Sequence, residues 1–221
     1  PNDSTTASDR PIGQLAGLNE LESVVGAFPS VVHSFGYGSG VFQQMNISQA
    51  KSQTVADYSN DVSSTGTTNH PGMIDIILAT ENNAMAFHRE NMARHASHYS
   101  AITRLGGPSL CSHLQQDYGA GVFFHALIPM QAAIIKYGVV TVDDLAKDLK
   151  EWNFLYLAGR LHKPTVAIRS SNSDIILDYQ QTYNLPYALS TALLLLSESK
   201  SETLLLKDLY EKITLLSYAG D

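Results

Sequence analysis

The stretch on which the fold turns is Phe35-Gly36-Tyr37-Gly38-Ser39-Gly40-Val41-Phe42-Gln43-Gln44, taken together with the apolar run Met73-Ile74-Asp75-Ile76-Ile77-Leu78-Ala79. In the first, glycines at alternate positions follow the β-branched pair Val31-Val32. Such a backbone turns tightly and brings its N–H groups close to an anion, which makes it a candidate phosphate cradle. In the second, one carboxylate sits inside an apolar segment of strand length. An unpaired charge there is expensive or is neutralised by protonation, and a metal ion resolves the cost. Taken alone, the glycine turn is also an ordinary strand connection, and the lone Asp also fits a structural hydrogen bond to a loop. The two in this order are more specific than either.

The 221 residues are 44% hydrophobic, enough for one large domain or two small ones, and carry a net charge of -7. That acidic balance argues against nucleic acid as the main partner, since phosphate backbones call for a basic face. A single cysteine, Cys111, excludes an internal disulfide and a cysteine-based zinc cluster. The longest apolar stretch, 185–196, is interrupted and too short to span a bilayer. Residues 1–10 are rich in Ser, Thr and Asp, with no apolar signal core; the chain does not start with Met, which allows for a removed presequence.

Along the chain, 1–13 reads as a loose tail, 15–25 as a helix, 30–34 as the strand feeding the glycine turn, and 48–70 as an exposed polar insertion. The run 73–80 is the second motif strand and 84–96 a polar helix. His95 and His98 share an i, i+3 spacing, but no third ligand of matching type follows. Residues 118–124 read as a strand paired with one of the motif strands, and 136–140 as another. Thr141 and Asp144 form a capping box, and the helix they start carries Leu145, Leu149, Trp152, Leu155 and Tyr156 at core spacing and ends near Gly159. A strand at 165–169 and helices at 186–197 and 201–218 complete an α/β front half and a mostly helical back half.

Several better-known motifs fail. A kinase reading of Gly36 to Val41 lacks its lysine, catalytic loop and Asp-Phe-Gly. A dinucleotide reading lacks the following helix and acid. A glycine-serine turn followed by a strand with a buried Asp instead resembles the layout of the nucleotidyltransferases, where the turn holds a nucleoside triphosphate and the acid its magnesium.

Further blocks sharpen this. Ser97-His98-Tyr99-Ser100, residues 118–123, Lys136-Tyr137-Gly138-Val139, Trp152-Asn153, Leu157-Ala158-Gly159-Arg160-Leu161-His162-Lys163-Pro164 and Leu216-Ser217-Tyr218-Ala219-Gly220-Asp221 follow in order. With the two motifs, they resemble the mitochondrial phosphatidate cytidylyltransferase family, peripheral CDP-diacylglycerol synthases also known as translocator assembly and maintenance proteins. The resemblance covers about residue 31 to 221. It implies a Mg2+-dependent enzyme that makes CDP-diacylglycerol and pyrophosphate from CTP and phosphatidic acid, upstream of cardiolipin. It also implies peripheral contact with the matrix side of the mitochondrial inner membrane, with no nucleic-acid partner. The implied fold is a nucleotidyltransferase-like domain, 1–135, followed by a mostly helical, winged-helix-like domain, 136–221.

On this reading Asp75 binds the metal, and Gly38 and Ser39 donate to the β- and γ-phosphates. Lys136 and Arg160 neutralise the triphosphate or the incoming phosphatidate. Tyr118 and His98 are further nucleotide-binding candidates, and Asp221 is a weaker one. Two departures stand out. The chain looks truncated at Asp221, where family members continue with a region associated with membrane docking, and the wider superfamily pairs two acids on the metal strand where this chain has only Asp75. The missing acid also fits a catalytically reduced relative acting as an assembly factor for inner-membrane translocation. A nucleotidyltransferase acting on RNA or protein is a further alternative. The helix at 201–218 mixes acidic and basic residues, so weak membrane association is expected.

Overall fold

A computed structural model describes residues 17–38, 41, 73–81, 83–130, 133–170, 175–197 and 205–220. The expected tail at 1–13, the insertion at 48–70, Ser39 and Asp221 lie outside the described residues.

Five strands form one sheet in the order β3-β4-β2-β1-β5, with β1 at His33–Tyr37, β2 at Ile74–Thr80, β3 at Val122–Met130, β4 at Ala133–Thr141 and β5 at Thr165–Arg169. β2 and β4 run parallel, and the other pairs are antiparallel. β2 lies in the middle of the sheet with helices on both sides, which is why its sequence is a continuous apolar run and not an alternating one. On one face Ile74, Ile76, Leu78, Ile135, Tyr137 and Val139 pack against α1 (Leu18–Gly26), through Leu21, Val24 and Val25, and against Phe87 of α2 (Ala84–Arg94). On the other, Phe35, Ile77, Ala79, Val122 and Val140 meet Leu145 and Leu149 of α4 (Val142–Glu151) and Leu157 and Ala158 of α5 (Tyr156–Arg160). Each fully buried aliphatic side chain of β2 contributes about 1.5–3 kcal/mol.

The arrangement is a mixed α/β N-terminal region followed by a mostly helical C-terminal region. Expectation and structure part at several points. Gly36 and Tyr37 belong to β1, so the glycine turn begins at Gly38, whose φ of +78° is the conformation that calls for glycine there. β3 pairs with β4 in a hairpin and not with a motif strand. The division expected at 135/136 falls inside β4, and β5, from the back half, completes the sheet beside β1. The helix expected to end near Gly159 stops at Glu151, because Trp152 and Leu155 both take positive φ and start the separate α5. Between β2 and β3 lies α3 (Ala101–His113), for which the sequence reading named no element; it is kinked at Gly107, whose φ of +68° is not helical. The C-terminal helices are α6 (Ile175–Tyr179), α7 (Leu185–Ser197) and α8 (Leu206–Leu216). No helix among the described residues is long and apolar enough to cross a membrane.

Candidate active site

Strand register builds the centre of the site. Tyr37 of β1 is the antiparallel partner of Asp75 on β2, and Asp75 is the parallel partner of Lys136 on β4. Residues in register on neighbouring strands share a face, so the three side chains stand side by side on the face carrying Ile77 and Ala79. Directly after Tyr37 the chain turns at Gly38, where a β-carbon would lie 3.3 Å from Oδ2 of Asp75. The turn therefore sits tightly against the carboxylate, which a side chain at Gly38 would push by a few tenths of an ångström.

Charge is arranged around that carboxylate. Partial burial pushes the Asp75 carboxyl above its ordinary range, and Lys136 first, then Arg160, pull it back down. Among the described residues none hydrogen-bonds to it, so its oxygens are left to the space in front of the turn. The Lys136 ammonium stands 4.8 Å over the Phe124 ring. Arg160 lies with its guanidinium 4.0 Å from the centre of the Tyr156 ring, donates to the Tyr156 hydroxyl at 3.0 Å and reaches the Tyr156 carbonyl at 3.4 Å. One turn of helix thus supplies both the cation and its cradle, because i and i+4 share a helix face. Tyr37 is held as a neutral phenol: burial above all, then Asp75, raise its pKa to about 12, while Arg160 opposes them.

The helix that carries Arg160 is clamped at both ends. Oδ1 of buried Asp148 accepts the backbone N–H groups of Phe154 and Leu155 at 3.1 and 2.9 Å, and its Oδ2 accepts those of Leu157 and Ala158 at 3.0 and 2.9 Å. One carboxylate so satisfies the free donors at the start of α5 and fixes the left-handed turn before it. Asn184 donates to the Ala158 carbonyl at 3.0 Å and accepts from the Trp152 indole at 2.7 Å. From the far end of the chain, the backbone of Ser217 presses on Gly159, where a β-carbon would come within 2.9 Å of the Ser217 carbonyl oxygen.

Of the residues expected at the site, Gly38, Asp75, Lys136 and Arg160 converge. His98 does not join them. It bonds the Tyr137 hydroxyl at 2.9 Å, and Tyr137, adjacent to Lys136 along β4, points to the opposite face of the sheet. There it belongs to a polar network with Tyr99, Asn91, His88 and Gln115. Tyr118 is 76% exposed and packs edge-on against His113, with no contact that ties it to Asp75. Tyr37, Tyr156 and Asp148 were not singled out by sequence reasoning. The one available signal was the i, i+4 spacing of Tyr156 and Arg160.

No three His, Cys, Asp or Glu residues among those described are grouped to hold a metal ion. A single carboxylate still suits Mg2+, which commonly takes one or two protein carboxylates and completes its shell with substrate phosphates and water. Asp75, with no hydrogen bond among the described residues and a raised proton affinity that a divalent cation would reverse, fits that use.

A family model described as phosphatidate cytidylyltransferase, mitochondrial, matches residues 21–221. The chain belongs to this family. Proteins of that name from Xenopus laevis, Homo sapiens and Schizosaccharomyces pombe are 38%, 36% and 35% identical over 212, 202 and 202 residues. Those alignments cover 96%, 91% and 91% of this chain but 55%, 39% and 44% of the relatives. The chain spans about half the length of the curated relatives it matches.

Proposed function

We propose that this chain carries the catalytic unit of a phosphatidate cytidylyltransferase, transferring the cytidylyl group of CTP to phosphatidic acid to give CDP-diacylglycerol and pyrophosphate for cardiolipin synthesis. The observation that carries the reading is Asp75 in register with Lys136, under the Gly38 turn and within the field of Arg160. In finer terms, we read the sheet as nucleotidyltransferase-like and the helical back half as winged-helix-like.

The chemistry asks for charge management more than proton transfer. A phosphate monoester has a second pKa of about 6, so the attacking oxygen of phosphatidate is already largely ionised near neutrality and needs no general base. That oxygen forms a bond to the α-phosphorus of CTP as the bond to the β-phosphate bridge breaks, and pyrophosphate leaves with the electron pair. Two anions must be brought together, and Lys136 and Arg160 offset their repulsion at the point of attack. The backbone at Gly38 and the hydroxyl of Ser39 donate to the β- and γ-phosphates. Asp75 would hold Mg2+, which when bound supplies positive charge along the triphosphate. Tyr156 and Asp148 keep Arg160 aimed, so that the in-line geometry is set before the substrates arrive.

The family's name is mitochondrial, and we infer peripheral action at the matrix face of the inner membrane. The lone carboxylate favours a second reading, a relative that has lost catalysis and serves translocator assembly. Labelled CTP, phosphatidate vesicles and Mg2+ decide between them: labelled CDP-diacylglycerol is expected, and its absence together with no magnesium-dependent heat of CTP binding would favour the assembly role.

A further inference from the structure

The steps above leave the Tyr37 hydroxyl unused. Its oxygen is shut away from solvent and, apart from the Arg160 guanidinium beside it, meets no hydrogen-bond partner among the described residues, an uncommon state for a hydroxyl. Its surroundings say what is missing. Asp75 is its register partner, and Arg160 is near enough to weaken its hold on the proton. A guanidinium only donates, so Arg160 can serve the lone pairs of the phenol oxygen and never its hydrogen. The hydrogen needs an acceptor, and no bond to Asp75 provides one. A phenol ordinarily loses its proton only at about pH 10, so the donor is loaded at neutral pH. An anionic oxygen arriving where the Gly38 turn, Asp75, Lys136 and Arg160 converge is the acceptor this arrangement lacks.

We propose that Tyr37 is a substrate-binding residue that donates its phenolic hydrogen to a phosphate oxygen, an assignment that rests on reading this site as a nucleotide site. Both CTP and phosphatidate offer that oxygen.

The test is Tyr37→Phe, which keeps the ring against Phe35 and removes only the hydroxyl. Three quantities are read: the dissociation constant for CTP with Mg2+ by calorimetry, the KM for phosphatidate in vesicles, and the thermal unfolding midpoint. Loss of one hydrogen bond to a charged group weakens binding by about 10- to 100-fold. A weakened CTP constant with unchanged phosphatidate KM assigns the acceptor to the nucleotide, and the reverse assigns it to the lipid. Either supports the proposal when the unfolding midpoint is unchanged or raised, as removal of an orphaned hydroxyl predicts. Wild-type constants overturn it, and so does a lowered midpoint, which would make the hydroxyl structural. Failure of the underlying reading looks different: there the wild-type chain itself binds no CTP, or Asp75→Asn binds it as wild type does.

Discussion

A β-carbon on Gly38 would stand 3.3 Å from Oδ2 of Asp75, closer than nearly all real contacts of that kind. The turn and the carboxylate therefore form one unit, and the positive φ of Gly38 adds a second reason for the missing side chain. Gly38→Ala is expected to leave the fold intact at a cost of about 1 kcal/mol while lowering cytidylyl transfer by about 10-fold or more, because the methyl displaces the carboxylate. Transfer at the wild-type rate by a folded Gly38→Ala chain would separate the turn from the chemistry.

Asp75→Asn removes the charge but hardly alters the shape. Cytidylyl transfer should fall by at least about 100-fold, with no rescue by excess Mg2+. Because burial disfavours the charged carboxylate, the unfolding midpoint above pH 5 should stay level or rise. Near-normal turnover would end the metal role.

Lys136 acts on both substrate and Asp75. It is the larger of the two positive charges that draw the Asp75 carboxyl downward against its burial. Lys136→Ala should weaken CTP binding about 10-fold or more. It should also move the acidic limb of the pH–rate profile to higher pH, since Asp75 then holds its proton longer. A limb that stays in place would mean that Asp75 does not set it.

Asp148→Asn leaves one acceptor oxygen facing four backbone donors, two of which then meet the amide NH2. A loss of about 2–4 kcal/mol is expected, measured by urea unfolding. In the fraction that remains folded, Arg160 should be poorly aimed, so kcat should fall more than CTP affinity does.

Acid should loosen the opposite face of the sheet. Burial, aided by neighbouring histidines, lowers His125 and His98 from 6.5 to about 4, and His88 is lowered as well. Between those values the unfolded chain binds protons that the folded chain refuses. Stability contributed there is complete above about pH 6.5 and drains as pH falls toward 4. For His125, the more deeply buried, the loss is on the order of 3 kcal/mol. Urea midpoints at pH 7 and pH 5 check the direction, and a higher midpoint at pH 5 would contradict it.

What the sequence disclosed follows the range of the interactions involved. β2 was visible because a strand buried on both faces reads as an apolar run, here Ile74 to Ala79 broken only by Asp75. The Thr141 and Asp144 cap was visible because its partners are three residues apart, and in the structure the Asp144 N–H donates to the Thr141 hydroxyl, which in turn donates to Asp144 Oδ2. Tyr37 was hidden: its place beside Asp75 depends on a strand pairing across 38 residues of chain and on where β1 ends. Asp148 was passed over, since its partners lie six to ten residues downstream in a turn with two left-handed residues. His98 lies apart from Asp75 because facing is a property of the sheet: Lys136 and Tyr137 are neighbours in sequence, yet they belong to opposite sides of it.

The outermost strand beside β1 comes from residues 165–169, and the last turn to press on the arginine helix ends at 220. Residues 37 and 75 are synthesised early but acquire their walls last. A nascent or clipped chain lacking its final quarter would leave β1, with the glycine turn that follows it, at the edge of the sheet and the Arg160 helix without its C-terminal brace. The glycine turn and Asp75 therefore gain their full surroundings only once residues 165–220 have packed back onto the sheet and the Arg160 helix.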